Sequence, residues 1–196
     1  TPQLAAGTLG EFITATATNL TTSDTSEFSA TVEIRQPEVS LSTTAVTLIE
    51  GTGIDPMALY VVNLSQQSSQ DITVDFSTTG IDAIDGADFI DNDGVLTFAA
   101  GDTTATLMVT VVGDALNEVD ESFQVTLDAV NGAVLGNSIG TGTIFDDDAP
   151  PTIAIQSNTV TEADGEAVFT VALDAESGKT VTVDYQTNAG SAIAPD

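Results

Sequence analysis

Apolar and polar residues alternate from Val39 to Phe145, with breaks at turn residues. The alternation predicts seven strands, at 39–49, 57–64, 72–78, 95–98, 104–112, 122–130 and 139–145. A period of two puts every second side chain on the same sheet face. Ile72, Val74 and Phe76 therefore share a face, as do Ala105, Leu107, Val109 and Val111, and Phe123, Val125, Leu127 and Ala129. These sets are the expected core. Polar segments at 65–70, 80–93, 113–121 and 131–137 and a tight turn at Gly101-Asp102 separate the strands. No stretch sustains a helical period. Seven short strands with this spacing predict an all-β fold, an immunoglobulin-like antiparallel β-sandwich.

The pattern restarts after Pro150-Pro151. Val160-Thr161-Glu162 echoes Leu48-Ile49-Glu50, and Val181-Thr182-Val183-Asp184-Tyr185-Gln186-Thr187 echoes the third strand, Ile72-Thr73-Val74-Asp75-Phe76-Ser77-Thr78. Asp196 falls where Asp88 falls in the first copy. The offsets are 112, 109 and 108 residues, so the chain reads as tandem modules. Residues 39–148 form a complete module, and 149–196 form the N-terminal half of a second. Residues 1–38 do not match the repeat. Segments 11–18 and 26–34 read there as two strands joined by the turn 19–25, the closing hairpin of a preceding β-domain. Both ends read as cut from something longer, or as open sheets completed by other chains.

Composition narrows the chemistry. Hydrophobic residues make up 41% of the chain, enough for a core despite a net charge of −28. There is no cysteine and no histidine, which excludes thiolate and imidazole metal sites and histidine-based catalysis. Only Arg35 and Lys179 are basic. Nucleic acids and anionic membranes need the opposite charge, and no apolar run is long enough to span a bilayer. A sugar-cleaving carboxylate pair would want aromatic platforms. Trp is absent, and Tyr60 and Tyr185 are the only tyrosines. The chain reads as a non-enzyme. Lys179, in the loop Ser177-Gly178-Lys179-Thr180, reads as an ordinary exposed lysine.

The acids are not scattered. Fourteen of the thirty form four clusters: Glu50 with Asp55; Asp82, Asp85, Asp88, Asp91 and Asp93; Asp114, Glu118, Asp120 and Glu121; and Asp146, Asp147 and Asp148. If each strand runs against its predecessor, the first, third, fifth and seventh finish at one end of the sandwich. The clusters follow those four strands. The loops at the other end, 65–70, 100–103 and 131–137, carry a single acid, Asp102. Carboxylates brought together repel, and a hard divalent cation with oxygen ligands relieves that repulsion. Calcium suits the donor set, and Glu50, Asp88, Asp114, Glu118, Glu121, Asp146, Asp147 and Asp148 are the candidate ligands. Asp82, Asp85, Asp91 and Asp93 read as turn formers. Asp91-Asn92-Asp93-Gly94 lacks the spacing and terminal Glu of an EF-hand loop and also reads as a turn.

Several strings together resemble the Calx-beta family. They are the early Glu50 and Glu162, the third-strand ending Val-Asp-Phe/Tyr, Gly86-Ala87-Asp88-Phe89, and Gly94-Val95-Leu96-Thr97-Phe98 with Ala100-Gly101-Asp102. Asp114, Glu118-Val119-Asp120-Glu121-Ser122-Phe123 and Gly142-Thr143-Ile144-Phe145-Asp146-Asp147-Asp148 complete the set. The resemblance covers 39–148 fully and 150–196 as an N-terminal half. It implies a seven-stranded sandwich that holds calcium at the end where the chain exits, with ligand roles for the same eight residues. The chain departs from calcium-sensing members at Gly113 and Ala115, where those members carry further acids. The expected function is a calcium-binding structural module of a large secreted or cell-surface protein, an adhesin-like stalk or fibre with calcium stiffening the junction between modules. Its partners would be neighbouring β-domains of the same chain. The alternatives are a calcium-sensing regulatory domain and a filament subunit whose open sheets are completed by identical chains through strand addition.

Overall fold

The alternating segments do form strands, and they build two sheets with their apolar sides facing each other. In the computed structural model, residues 35–188 are described continuously, with 12–13, 18, 21–22, 32–33 and 190 besides. The strands in chain order are β1 Phe12–Ile13, β2 Val32–Glu33, β3 Glu38–Leu41, β4 Ala45–Ile49, β5 Met57–Leu64, β6 Ile72–Gly80 and β7 Gly94–Phe98. They continue with β8 Thr104–Thr110, β9 Glu121–Asn131, β10 Val134–Leu135, β11 Ile139–Phe145, β12 Ile153–Ile155 and β13 Val171–Leu173. One sheet has the order β10-β3-β5-β8 and the other β4-β11-β9-β6-β7.

Val39, Leu41, Tyr60, Val62, Leu107 and Val109 from the first sheet meet Val74, Phe98, Phe123, Val125, Leu127 and Ile144 from the second in one buried cluster. Tyr60 and Phe123 touch edge to face across it, with centroids 6.5 Å apart. Phe123 also stacks on Phe89 at 5.2 Å, so the loop between β6 and β7 is pinned into the core at one end. Burial of a side chain of this size contributes about 1.5–3 kcal/mol. Phe123 needs room that only glycine leaves. A Cβ built on Gly142 of neighbouring β11 would lie 2.2 Å from the Phe123 ring.

The segment expected as one strand over 39–49 is two. The inward positions are odd in β3 (Val39, Leu41) and even in β4 (Val46, Leu48), a change of parity that one straight strand cannot make. The chain therefore crosses between sheets at 42–44. Ser42 N donates to Val61 O in one sheet at 2.8 Å, and Thr141 N donates to Thr44 O in the other at 3.0 Å. β3 then runs parallel to β10, and β4 parallel to β11, within an otherwise antiparallel sandwich. The short β10 was not expected.

Ala129 is also a correction, because it faces outward. The β6–β9 register shifts between Val74 and Phe76, which pair with Val130 and Leu127. The extra residue in β9 is a bulge, and Val130 packs on the core in place of Ala129. β8 ends at Thr110, short of the expected 112, as Val112 N turns to Asp88 O at 2.9 Å.

At the N-terminus, β1 and β2 pair antiparallel, Phe12 opposite Glu33 and Ile13 opposite Val32. The remainder of the two strands expected there lies outside the described residues. After Pro150-Pro151, β12 pairs antiparallel with β13. The strand expected over 181–187 is not formed, and Tyr185 is 89% exposed. Its counterpart β6 is held between β7 and β9, and no equivalent of either flanks 181–187 among the described residues. Asp196 and the side chain of Glu162 lie outside what the structure describes.

The close fit of Phe123 over Gly142 sets a test. Gly142→Ala should destabilise the chain by about 1–3 kcal/mol through overpacking, read as a lower urea midpoint by circular dichroism. Adding Phe123→Leu to Gly142→Ala should recover part of the loss.

Candidate metal centre

β4 and β11 run parallel with Ile49 opposite Phe145, so their ends deliver Glu50 and Asp146 to the same place. Glu50 N donates to Phe145 O at 3.1 Å and closes the corner. The next two acids brace the chain that follows Glu50. Asp147 Oδ1 accepts from Gly51 N at 3.1 Å, and Asp148 Oδ1 accepts from Thr52 Oγ1 at 3.2 Å. Loop 113–120 closes over this corner. A Cβ on Gly113 would lie 2.3 Å from Gly51 O and 2.5 Å from Glu50 O, so the approach requires glycine.

Two carboxylate triads result, Glu50–Asp146–Asp148 and Asp88–Glu118–Glu121, each with one oxygen per residue within 4.8 Å of the others. Asp88 is buried, and its Oδ2 accepts from Ile84 N at 2.5 Å. The packing of Phe89 on Phe123 fixes the backbone that carries it. Six of the eight expected ligands therefore converge in threes. Asp114 and Asp147 stand outside both triads and are exposed. Asp114 Oδ1 accepts from Leu116 N at 2.7 Å, and its charge acts on Glu50 and Glu118. The acids read as turn formers do make loop hydrogen bonds. Asp82 accepts from Ser122 N and Oγ, Asp85 from Asp91 N, Asp91 from Thr78 Oγ1 and Asp93 from Thr78 N.

Two residues that contact the first triad escaped the sequence reading. Asn117 is buried, and its Nδ2 donates to Asp146 Oδ2 at 3.0 Å and to Asp148 O at 2.7 Å. It supplies uncharged donors to a carboxylate corner. Its position as an amide between Asp114 and Glu118 was the available signal. Lys179 is exposed, as expected, and its Nζ in addition lies 3.4 Å from Asp146 Oδ2.

The charge is concentrated under poor solvation. Burial raises Glu50 to about 7, helped by the charges of Asp114, Asp146, Glu118 and Asp148. Burial also raises Glu121, to about 8, together with a hydrogen bond and charge from Asp88. Glu118 is raised by burial and then by Asp88, Asp114 and Asp146, with Lys179 opposing the rise. Glu50 Oε1 and Asp148 Oδ2 are buried and have no hydrogen-bond partner. Each unmet buried acceptor costs about 1–3 kcal/mol. Both belong to the same triad. Orphaned, closely spaced carboxylate oxygens with no nitrogen or sulfur donor among them fit a hard divalent cation.

These shifts fix a pH dependence. A carboxyl whose folded pKa lies above its unfolded value binds more protons when folded. Its contribution is full below the ordinary value of 4.5 and is lost as pH rises through about 7 for Glu50 and about 8 for Glu121. In chelator, the melting temperature should fall from pH 5 to pH 8. Glu50→Gln should flatten part of that fall in a thermal melt series.

The comparisons with known proteins agree with this architecture. The Calx-beta domain model matches residues 33–148 and again 146–196. The structure of the apo form of the Calx CBD1 domain is 26% identical, with a TM-score of 0.53, over 58% of this chain and 100% of that one. The structure of CBD12 from CALX1.2 is 25% identical, with a TM-score of 0.53, over 61% of this chain and 49% of that one. The structure titled as the calcium binding domain CBD12 of CALX1.1 is 26% identical with the same TM-score, over 61% of this chain and 50% of that one. The chain thus spans about half the length of the two CBD12 structures. No curated protein matches it significantly. With the family matched across most of its length, the chain belongs to the Calx-beta domain family.

Proposed function

We propose that this chain is a calcium-binding structural segment of a larger secreted or cell-surface protein, in which the ion stiffens the junction between successive modules. One observation carries the reading. Glu50 Oε1 and Asp148 Oδ2 are buried without partners inside a carboxylate triad at the point where the chain leaves the first module. Calcium accepts six to eight oxygen ligands in a flexible shell, whereas magnesium retains water and demands a tight octahedron. The choice of ion is supported by the similarity to CBD12 of CALX1.1, which is described as a calcium binding domain. Asp148 runs directly into Ala149-Pro150-Pro151, so an ion held by Asp146 and Asp148 restrains the first residues of the linker. Millimolar extracellular calcium suits such a site, and the strongly acidic composition keeps an exported stalk or adhesin soluble. No catalytic role is part of this reading.

A regulatory reading draws on the 26% identity to the Calx CBD1 domain. Affinity separates the two. Structural extracellular modules bind at about 10⁻⁴–10⁻³ M, and sensors at about 10⁻⁷–10⁻⁵ M.

Calcium should raise the melting temperature of the 196-residue chain. At a hundredfold excess over Kd, the stabilisation is about 2.7 kcal/mol. Glu50→Gln and Asp148→Asn should each abolish most of the rise, while Asp102→Asn, at the opposite end, should retain it. Identical melts in calcium and in chelator would refute the reading. Small-angle scattering should show a broader spread of dimensions in chelator, and unchanged profiles would remove the stiffening role.

A further inference from the structure

Loop 176–179 of the second repeat sits on the acidic end of the first. Asn117 and Ser177 form an isolated parallel bridge, and Gly178 N donates to Asn117 O at 3.1 Å. A Cβ on Gly178 would lie 2.6 Å from Glu118 Oε1, so a side chain there would displace the Glu118 carboxylate. This backbone contact sets Lys179 Nζ 3.4 Å from Asp146 Oδ2. The Asp146 side chain is 8% exposed and the Lys179 side chain 41%, so the ammonium reaches the triad from its solvent side. The oxygen it meets is the one that accepts from Asn117 Nδ2. Lys179 is one of only two basic residues in a chain with thirty acids.

We propose that Lys179 is a built-in counter-ion, supplied by the following repeat, that competes with the divalent cation for the Glu50–Asp146–Asp148 triad. The inference rests on the calcium reading above and concerns the regulation of the same site. Ammonium and metal ion relieve the same repulsion between carboxylates. Whichever is present weakens the field that attracts the other. Without metal, Lys179 takes over part of the neutralisation and keeps the two repeats in contact. With metal, the lysine is held less strongly, and calcium carries the junction. The coupling is reciprocal, so each cation lowers the other's affinity by the same factor. For a partly exposed ion pair, that factor is about two- to fivefold.

The test is calorimetric titration of the 196-residue chain with calcium chloride, beside Lys179→Gln and Lys179→Arg, with thermal melts of all three in chelator. Lys179→Gln should bind calcium about two- to fivefold more tightly, by a margin that shrinks in high salt. Lys179→Arg should match the native chain. In chelator, Lys179→Gln should melt at a lower temperature and Lys179→Arg should not. Equal calcium affinity in the native chain and Lys179→Gln overturns the role of Lys179 and leaves the calcium reading intact. Weaker binding by Lys179→Gln also overturns the competition, since lysine and metal would then act together. Calcium binding by none of the three overturns the calcium reading, and the competition with it.

Discussion

The constraint on which this molecule depends is the repulsion between carboxylates that the sheet forces together. The acids do not choose their proximity. Five paired positions, from Ala45–Thr141 to Ile49–Phe145, lock β4 beside β11 and carry Glu50 and Asp146 to one corner. Phe89, seated on Phe123, brings Asp88 to the neighbouring position. The paired backbone and the buried apolar core fix these positions, so the Cα atoms that carry the charges cannot move apart without disturbing the packing. Raised carboxyl pKa values, an uncharged amide clamp and a lysine reaching in from loop 176–179 are three responses of the same fold to that crowding.

The responses differ in kind. Asn117 donates hydrogen bonds without adding charge, and it links loop 113–120 to the chain exit. Besides burial, a hydrogen bond with Asp88 helps raise the Glu121 carboxyl. Glu50 Oε1 and Asp148 Oδ2 receive neither kind of help. Hydrogen bonding within the chain thus relieves part of the corner and leaves a defined remainder, made only of oxygen and suited to a hard cation.

Much of this was legible from alternation alone. Strands 57–64 and 139–145 match β5 and β11 at both ends, because each is bounded by turn residues and keeps one parity throughout. The first strand misled because Ser42-Thr43-Thr44 is a short polar break of strand-compatible residues between two alternating stretches, and the change of inward parity between Leu41 and Val46 is easily read as noise. Ala129 misled for a related reason. A bulge costs one residue of register, and nothing in Leu127-Asp128-Ala129-Val130 announces where the extra residue sits. Counting strand directions gathered the acids at one end, and six of the candidate ligands do lie in two triads there. Asn117 and Lys179 stayed hidden because their roles come from contacts across 29 and 33 residues of sequence, and the amide between Asp114 and Glu118 was the one local sign of either.

The switch of the leading segment from one sheet to the other has a mechanical consequence. It leaves the first long strand of the second sheet, β4, lying parallel to the last strand of the module, β11. A pull that enters at Ala45 and leaves at Phe145 draws the two strands past one another lengthwise. All five rungs of that ladder then resist together, rather than opening in sequence like a zipper. The sheet switch, a local matter of parity at three residues, thereby loads the module in shear.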